Sequence, residues 1–315
     1  MSLNTTETDS ARTDANGPAG GPARAGNPSR RAERRAIAGL LAPFGILFLL
    51  FYIVPISYAF VRSFFVTERE GAFGPAEDAW GGLSNYRQAL SDPALIESVG
   101  RVLLFGFVQV PAMLLIALTF ALLLDSRTAR FKRFFRLTYF VPYAVPVVIG
   151  SIVWGFLFTP GLGPVADLIP IDWLGNTWVL WSIAIIVTWT YAGYNMLIIY
   201  SNLQAIDQDI YEAAHVDGAS AWQTALRIKI PLIRDSVILT GVFSIIGTLQ
   251  LFAEPQVLRS ISTSISSTYT PNLLAFTAAS GNAYNYAAAV SFLLALATAV
   301  LSFVFLRLTQ RWEDS

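Results

Sequence analysis

The run Tyr211-Glu212-Ala213-Ala214-His215-Val216-Asp217-Gly218-Ala219 brings a carboxylate, small side chains and a glycine together between two long apolar stretches. The chemistry these residues support is recognition rather than catalysis. Glu212 offers a carboxylate to a Lys or Arg of a partner, and Ala213 and Ala214 admit a close approach. Gly218 permits a sharp turn at φ values other residues resist. Asp207 and Asp209 suit the positive end of a short helix. Ile210, Ala213 and Ala214 fall at i, i+3, i+4 and give it a small apolar face. Ser220 with Gln223 resembles a capping box for a second helix. Trp222, Ala225 and Leu226 would form the apolar face of that helix, and Pro231 would end it. Residues 207–231 are therefore expected to form a helix-turn-helix. By periodicity alone, an amphipathic helix lying on a membrane fits as well.

Other chemistries lack their residues. The chain has no cysteine and a single histidine, His215, which excludes disulfides, thiolate metal sites and a multi-His metal site. The only lysines, Lys132 and Lys229, do not sit in G-x-x-x-x-G-K-[ST], so no phosphate-binding loop is present. Ser280-Gly281 lacks the context of a hydrolase nucleophile. A proton-coupled carrier would want an intramembrane Asp, Glu or His relay, and a channel a filter motif or charged ring; neither is visible. A formal net charge of zero gives no sign of nucleic-acid binding.

The elements that must hold the polar run are membrane spans. The 315 residues are 54% hydrophobic and 13% charged, against about 25% charged in an average soluble domain. Apolar runs of about 18–25 residues are expected to cross the bilayer near 37–61, 102–124, 137–158, 178–200, 236–254 and 287–306, giving an all-α bundle of about six transmembrane helices. Prolines 43, 55, 111, 142 and 146 are tolerable within spans because neighbours can satisfy the freed carbonyls. Residues 1–35, rich in Gly, Pro, Ala, Asn and Thr, are expected to be a disordered cytoplasmic tail ahead of a membrane domain over 36–311. Ser29-Arg30-Arg31 and Ser57-Tyr58-Ala59 would suit a cleaved signal. The first apolar run, though, is longer than the usual h-region of about 7–15 residues, so a retained helix is expected.

Lys and Arg orient the bundle. Arg30, Arg31, Arg34 and Arg35 precede the first span. Arg127, Arg130, Lys132, Arg133 and Arg136 follow the second, Arg227, Lys229 and Arg234 precede the fifth, and Arg307 and Arg311 follow the sixth. The intervening connections are acidic or nearly free of base. Both termini and the Glu212 loop are thus expected on the cytoplasmic side of a bacterial-type inner membrane. Trp80, Trp173, Trp178 and Trp181 are expected in an interfacial belt at the other side.

Glu212-Ala213-Ala214, Asp217-Gly218-Ala219, Ile228 and Pro231, together with Leu203-Gln204-Ala205-Ile206 upstream, resemble the EAA loop of permease subunits of ABC importers, of the maltose and glycerol-phosphate type. Tyr286-Ala287-Ala288 near the last helix also fits. Family members usually carry Leu before the proline, where this chain has Ile230. The resemblance implies the type I importer permease fold and an ATPase-coupling role for Glu212, Ala213, Ala214, Asp217 and Gly218. It further implies a second homologous permease, two cytoplasmic ATPase subunits that bind ATP and Mg, and an extracytoplasmic sugar-binding protein. No cofactor would reside in this chain. ATP-driven closure of the ATPases would move the loop as a lever and reorient the bundle in alternating access.

The pathway of such a bundle is expected to be lined by the spans flanking the loop: Tyr191, Tyr194 and Asn195 of the fourth, Ser244, Thr248 and Gln250 of the fifth. Aromatic rings and uncharged hydrogen-bonding groups suit sugars, and Ser244 and Thr248 share a helix face. Each would equally serve as a helix–helix hydrogen bond. Glu254 follows an uncharged run of roughly 27 Å of helix. It is therefore expected near the outer interface, as a solvated helix end or as a contact for sugar hydroxyls or the binding protein. With no charge deep in these spans, a charged amino acid or metal ion is not expected as substrate.

Overall fold

A backbone in hydrocarbon finds no partner but itself, so uncharged stretches of this length become helices. The computed structural model describes residues 30–69, 76–126 and 128–311, in two units, Met1–Pro55 and Ile56–Ser315. In the first, α1 (Arg30–Phe48) leads into a π turn, Leu49–Ile53. Residues 30–35, expected in the disordered tail, are helical; the rest of that tail, 1–29, lies outside the described residues. Pro55 has no N–H for the carbonyl of Phe51, and the widened turn before it accommodates that loss. Apolar side chains along this stretch are exposed, with Phe44, Phe48 and Tyr52 stacked at successive i,i+4 positions.

α2 (Val54–Arg62) starts in the last residues of the first unit; after it the second unit has two strands, β1 (Phe65–Arg69) and β2 (Ala76–Trp80), then α3 (Ser84–Ser91) and the long α4 (Pro93–Asp125). Next come α5 (Lys132–Ala144), α6 (Val147–Leu157), α7 (Pro164–Leu168) and α8 (Val179–Leu203). The expected helix-turn-helix supplies α9 (Gln208–Val216), α10 (Ala221–Thr224) and, beyond a second π turn at Ala225–Lys229, α11 (Ile230–Leu232). The chain finishes with α12 (Arg234–Leu249), α13 (Ala253–Leu258), α14 (Pro271–Ser280) and α15 (Tyr284–Arg311). Among the described residues, five helical runs are long and apolar enough to cross a membrane: Arg35–Arg62, Pro93–Asp125, Val179–Leu203, Arg234–Leu258 and Tyr284–Arg307.

The third expected span, 137–158, is not one rod. α5 and α6 meet at 97°. Pro146 disfavours helical geometry at the residue before it, and Val145 is extended at φ −78°, ψ 127°. The proline expected to be absorbed within the span therefore breaks it. The fifth span is interrupted as well. α12 stops at Leu249, Phe252 sits at φ −145°, ψ −53°, and α13 restarts at Ala253. Asn272 Nδ2 donates to the Leu249 carbonyl at 2.9 Å and satisfies an acceptor freed by the break. The second span starts earlier than expected. Asp92 caps α4 with Pro93 in its first turn, and the charges that suggested a later start are paired. Arg101 pairs with Glu97, donates to the Tyr269 carbonyl at 2.8 Å and lies over the Tyr269 ring.

α4 packs along α8, with α5 and α12 against that pair. Two apolar clusters fill the contacts, one around Phe105, Phe158, Ile183 and Leu258 and another around Ala117, Ala121, Met196, Ile199 and Ile233. Large apolar side chains on the opposite faces, such as Phe107 and Leu115, are exposed, as bilayer-facing positions should be. Trp173, expected in an interfacial belt, instead lies only 8% exposed in the first cluster, stacked on Phe158 with its indole N–H on the Ile169 carbonyl at 3.1 Å. Trp80 and Trp178 are exposed.

The antiparallel pair β1–β2, with Phe65 opposite Trp80, has no counterpart in the sequence expectations. Asp78 fastens it. Its carboxylate accepts from Asn285 at 3.0 Å and pairs with Arg62 at 2.5 Å. The Asn285 hydrogen bond, then Arg62, hold the Asp78 carboxyl below its ordinary value. A depressed folded value means that this attachment is complete above the unfolded value of about 4 and is lost as pH falls through the folded one. A nitroxide at the exposed Glu77 is expected to gain mobility on acidification below about pH 4. In the Asp78→Asn variant it should be mobile at every pH; an unchanged, rigid spectrum there would refute the attachment.

Candidate functional site

Local chemistry builds the Glu212 segment. The Asp207 carboxylate accepts from the Asp209 N–H at 3.1 Å and starts α9. At its other end, Gly218 N–H donates to His215 O at 3.1 Å and Ala219 N–H to Ala214 O at 3.0 Å, with Gly218 at φ +77°. That pair of bonds around a left-handed residue is a Schellman motif, and it turns the chain sharply. Ser220 and Gln223 then form both halves of a capping box, Ser220 N–H donating to Gln223 Oε1 at 2.8 Å and Gln223 N–H to Ser220 Oγ at 3.3 Å. Pro231 does not end the second helix as expected. The π turn at Ala225–Lys229 absorbs its missing N–H, as at Pro55, and helix resumes until Ile233.

Of the residues expected to act together, Ala214 is buried while Glu212, Ala213, Asp217 and Gly218 are exposed. The face expected from Ile210, Ala213 and Ala214 is thus split. Val216 is 86% exposed and Trp222 70%, so Trp222 does not pack inward as its spacing suggested. The surface of the segment therefore presents a carboxylate and a bare Val on α9 and a bare Trp on α10, features suited to a protein partner.

Beneath this surface lies a cleft of about 700 Å³ bordered by Asp125, Lys132, Gln204, Tyr211, His215 and Lys229. Asp125, the last residue of α4, pairs with Lys229 and accepts from Gln204 Nε2 at 2.6 Å. The Lys229 ammonium also lies 4.8 Å from the centre of the Tyr211 ring. Burial, with the Asp125 charge behind it, pushes the Tyr211 phenol up to about 12, so it stays neutral and donates to the Leu203 carbonyl at 3.4 Å. Asp125 is not among the residues expected from the sequence. The available signal was an acid at the end of one apolar run and a rare lysine at the start of another.

Within the bundle, a cavity of about 390 Å³ opens between α4, α5, α8, α12 and α13. Tyr191, Tyr194, Asn195, Ser244, Thr248 and Gln250, expected along one pathway, all line it. The Tyr194 ring stacks on Tyr143 at 4.5 Å, and Tyr191 meets Tyr143 edge-on at 5.9 Å. Asn195 Nδ2 donates to Ser244 Oγ at 3.4 Å. Thr248 Oγ1 donates to Gln109 Oε1 at 3.5 Å, and Gln109 Nε2 to Thr188 Oγ1 at 3.3 Å. Gln109, Met113 and Tyr143 come from α4 and α5, helices not expected along the pathway from the sequence. An amide in an otherwise apolar run was the one signal for Gln109.

Glu254 is not the solvated helix end that a straight fifth span would give. It is 5% exposed and lines the same cavity, because α13 packs against α6 and α8. The cavity therefore holds one carboxyl group, and no Lys, Arg or His stands among the residues lining it.

A multi-span bundle with a largely apolar cavity edged by polar groups and an exposed helix-turn-helix fits a transport subunit. Residues 103–314 match the family of the binding-protein-dependent transport system inner membrane component, and the chain belongs to that family. It is 33% identical to the lactose transport system permease protein LacF of Rhizobium radiobacter, over 71% of this chain and 78% of that protein. It is 29% identical to the trehalose transport system permease protein SugA of Mycobacterium tuberculosis, over 89% and 90%. The fold is also that of a chain in the crystal structure of a bacterial ABC transporter involved in the import of the acidic polysaccharide alginate. That likeness has a TM-score of 0.77, 18% identity and coverage of 89% of this chain and 96% of the other.

Proposed function

We propose that this chain is the permease subunit of an ATP-driven importer of neutral sugars, coupled to separate ATPase subunits through the Glu212 segment. The observation that carries the coupling is the exposed surface of Glu212, Val216 and Trp222, set on a rigidly capped turn at one end of the bundle. The Lys and Arg distribution favours the cytoplasmic side for that end and for both termini. A second homologous permease would complete the pathway, two ATPases would bind ATP and Mg, and an external binding protein would deliver the sugar. Lactose and trehalose, in the names of the relatives, are neutral sugars. The tyrosine rings offer apolar faces to a pyranose, while Asn195, Gln109 and Glu254 offer partners to its hydroxyls. With no cation lining the cavity, an acidic sugar would find no counter-charge there.

The test is uptake by the complex reconstituted in vesicles with its ATPase and binding protein, with lactose and trehalose as probes. Uptake should need both ATP and the binding protein. Glu254→Gln should leave assembly intact and lower uptake about tenfold, the effect of one charge-assisted hydrogen bond at about 1.5 kcal/mol. Uptake by Glu254→Gln at the unsubstituted rate would remove the carboxylate from the pathway.

A further inference from the structure

The Glu212 segment touches the bundle through a buried polar joint. Asp125 closes α4, Gln204 caps α8, Tyr211 belongs to α9, and Lys229 stands in the π turn before α11. The Asp125 side chain is 5% exposed and that of Lys229 14%, so neither charge has much water for company. Asp125 takes the Lys229 ammonium on one oxygen and the Gln204 amide on the other. Lys229 in turn rests against the Tyr211 ring, and Tyr211 is tied to the Leu203 carbonyl. Four elements thus meet at one ion pair. Two of them lead to the cavity: α4 carries Gln109 and Met113, and α8 carries Tyr191, Tyr194 and Asn195. From Asp125 to Met113 is about 18 Å along α4. A charge pair withdrawn from water is costly to open, since each ion would be left buried and unpaired. A joint of that kind transmits displacement instead of yielding to it.

We propose that the Asp125–Lys229 pair is the fixed joint through which movement of the Glu212 segment is delivered to α4 and α8. Asp125 and Lys229 are positioning residues, acting on the cavity through the helices they end or adjoin. The proposal rests on the coupling function above and adds that the joint stays closed throughout the cycle. Conserving the contact matters more than conserving its charge.

The absence of cysteine from the chain makes a direct test possible. The complex with its ATPase and binding protein, freed of cysteines elsewhere, is reconstituted, and lactose or trehalose uptake is measured against ATP hydrolysed. Asp125→Asn and Lys229→Met should each retain the ATPase and hydrolyse ATP while uptake per ATP falls at least fivefold. The pair Asp125→Cys with Lys229→Cys should be equally poor, and a short bis-methanethiosulfonate linker between the two thiols should restore at least half of the original ratio. Three results would overturn the proposal: an unchanged ratio in the single variants, a loss of uptake and hydrolysis in proportion with falling stability, or arrest of transport on linking. Arrest would mean that the joint has to open. Failure of the unsubstituted complex to show ATP-dependent uptake would overturn both the proposal and the function it rests on, and is recognised separately because no variant is involved.

Discussion

Gly193→Ala is expected to cost about 3 kcal/mol or more and to leave little folded protein, a large effect for a single methyl group. A Cβ at Gly193 would overlap the backbone carbonyl of Tyr139 and lie 3.2 Å from the nitrogen of Phe140. The obstruction is main chain, so no rotamer change relieves it. α8 would have to retreat from α5, separating Tyr194 from Tyr143 on the cavity wall and disturbing Tyr139, whose ring stacks on Phe120 at 4.4 Å. Small residues at such crossings let helices approach closely enough for packing to hold them in lipid. Thermal unfolding in detergent checks this, with Gly100→Ala in α4 as the comparison, because no atom lies within 4 Å of a Cβ there. Gly100→Ala should unfold within a degree or two of the parent, consistent with the modest Gly-to-Ala difference of about 1 kcal/mol in helices. Equal stability of Gly193→Ala and the parent would contradict the α5–α8 packing.

Glu212→Ala is expected to reduce capture of the ATPase and ATP-driven uptake at least tenfold without lowering the stability of the chain itself. Glu212 is exposed and makes no contact on which the fold of α9 depends. Truncating one member of an interfacial charge pair typically costs about 2 kcal/mol or more, mostly because its partner is left without a counter-charge. Glu77→Ala, removing an exposed acid on β2, should change neither quantity. The comparison separates a role specific to the segment from a general effect of net charge. Full uptake by Glu212→Ala would remove this residue from the coupling surface.

The parts of the molecule legible in the sequence are those encoded locally. Caps and turn residues lie next to what they stabilise, so Asp207, Gly218 and the Ser220–Gln223 box could be placed in advance. Apolar run length announces a span, and i,i+4 spacing put Ser244 and Thr248 on a common face. What stayed hidden depends on contacts between distant segments. Nothing beside Asp125 in the chain points to Lys229. Tyr143 reaches Tyr194 only because α5 crosses α8 at Gly193. The burial of Glu254 follows from the packing of α13 on α6 and α8, distant segments that nothing beside it announces, whereas the break at Val145 precedes a proline. The π turns before Pro55 and Pro231 show the reverse case: a proline that would end an ordinary helix is absorbed by widening the preceding turn. Trp173 was assigned to an interface by residue type, yet its ring fills a core and its N–H finds a carbonyl there.

Val216→Cys offers the most direct measurement of the central claim, since the side chain is almost wholly exposed and the chain contains no other thiol. In intact membranes containing the assembled transporter, a short thiol-to-amine cross-linker at this position should join the chain to its ATPase, and an impermeant maleimide added outside should not reach it. Labelling by the external maleimide, with no ATPase adduct, would contradict the account.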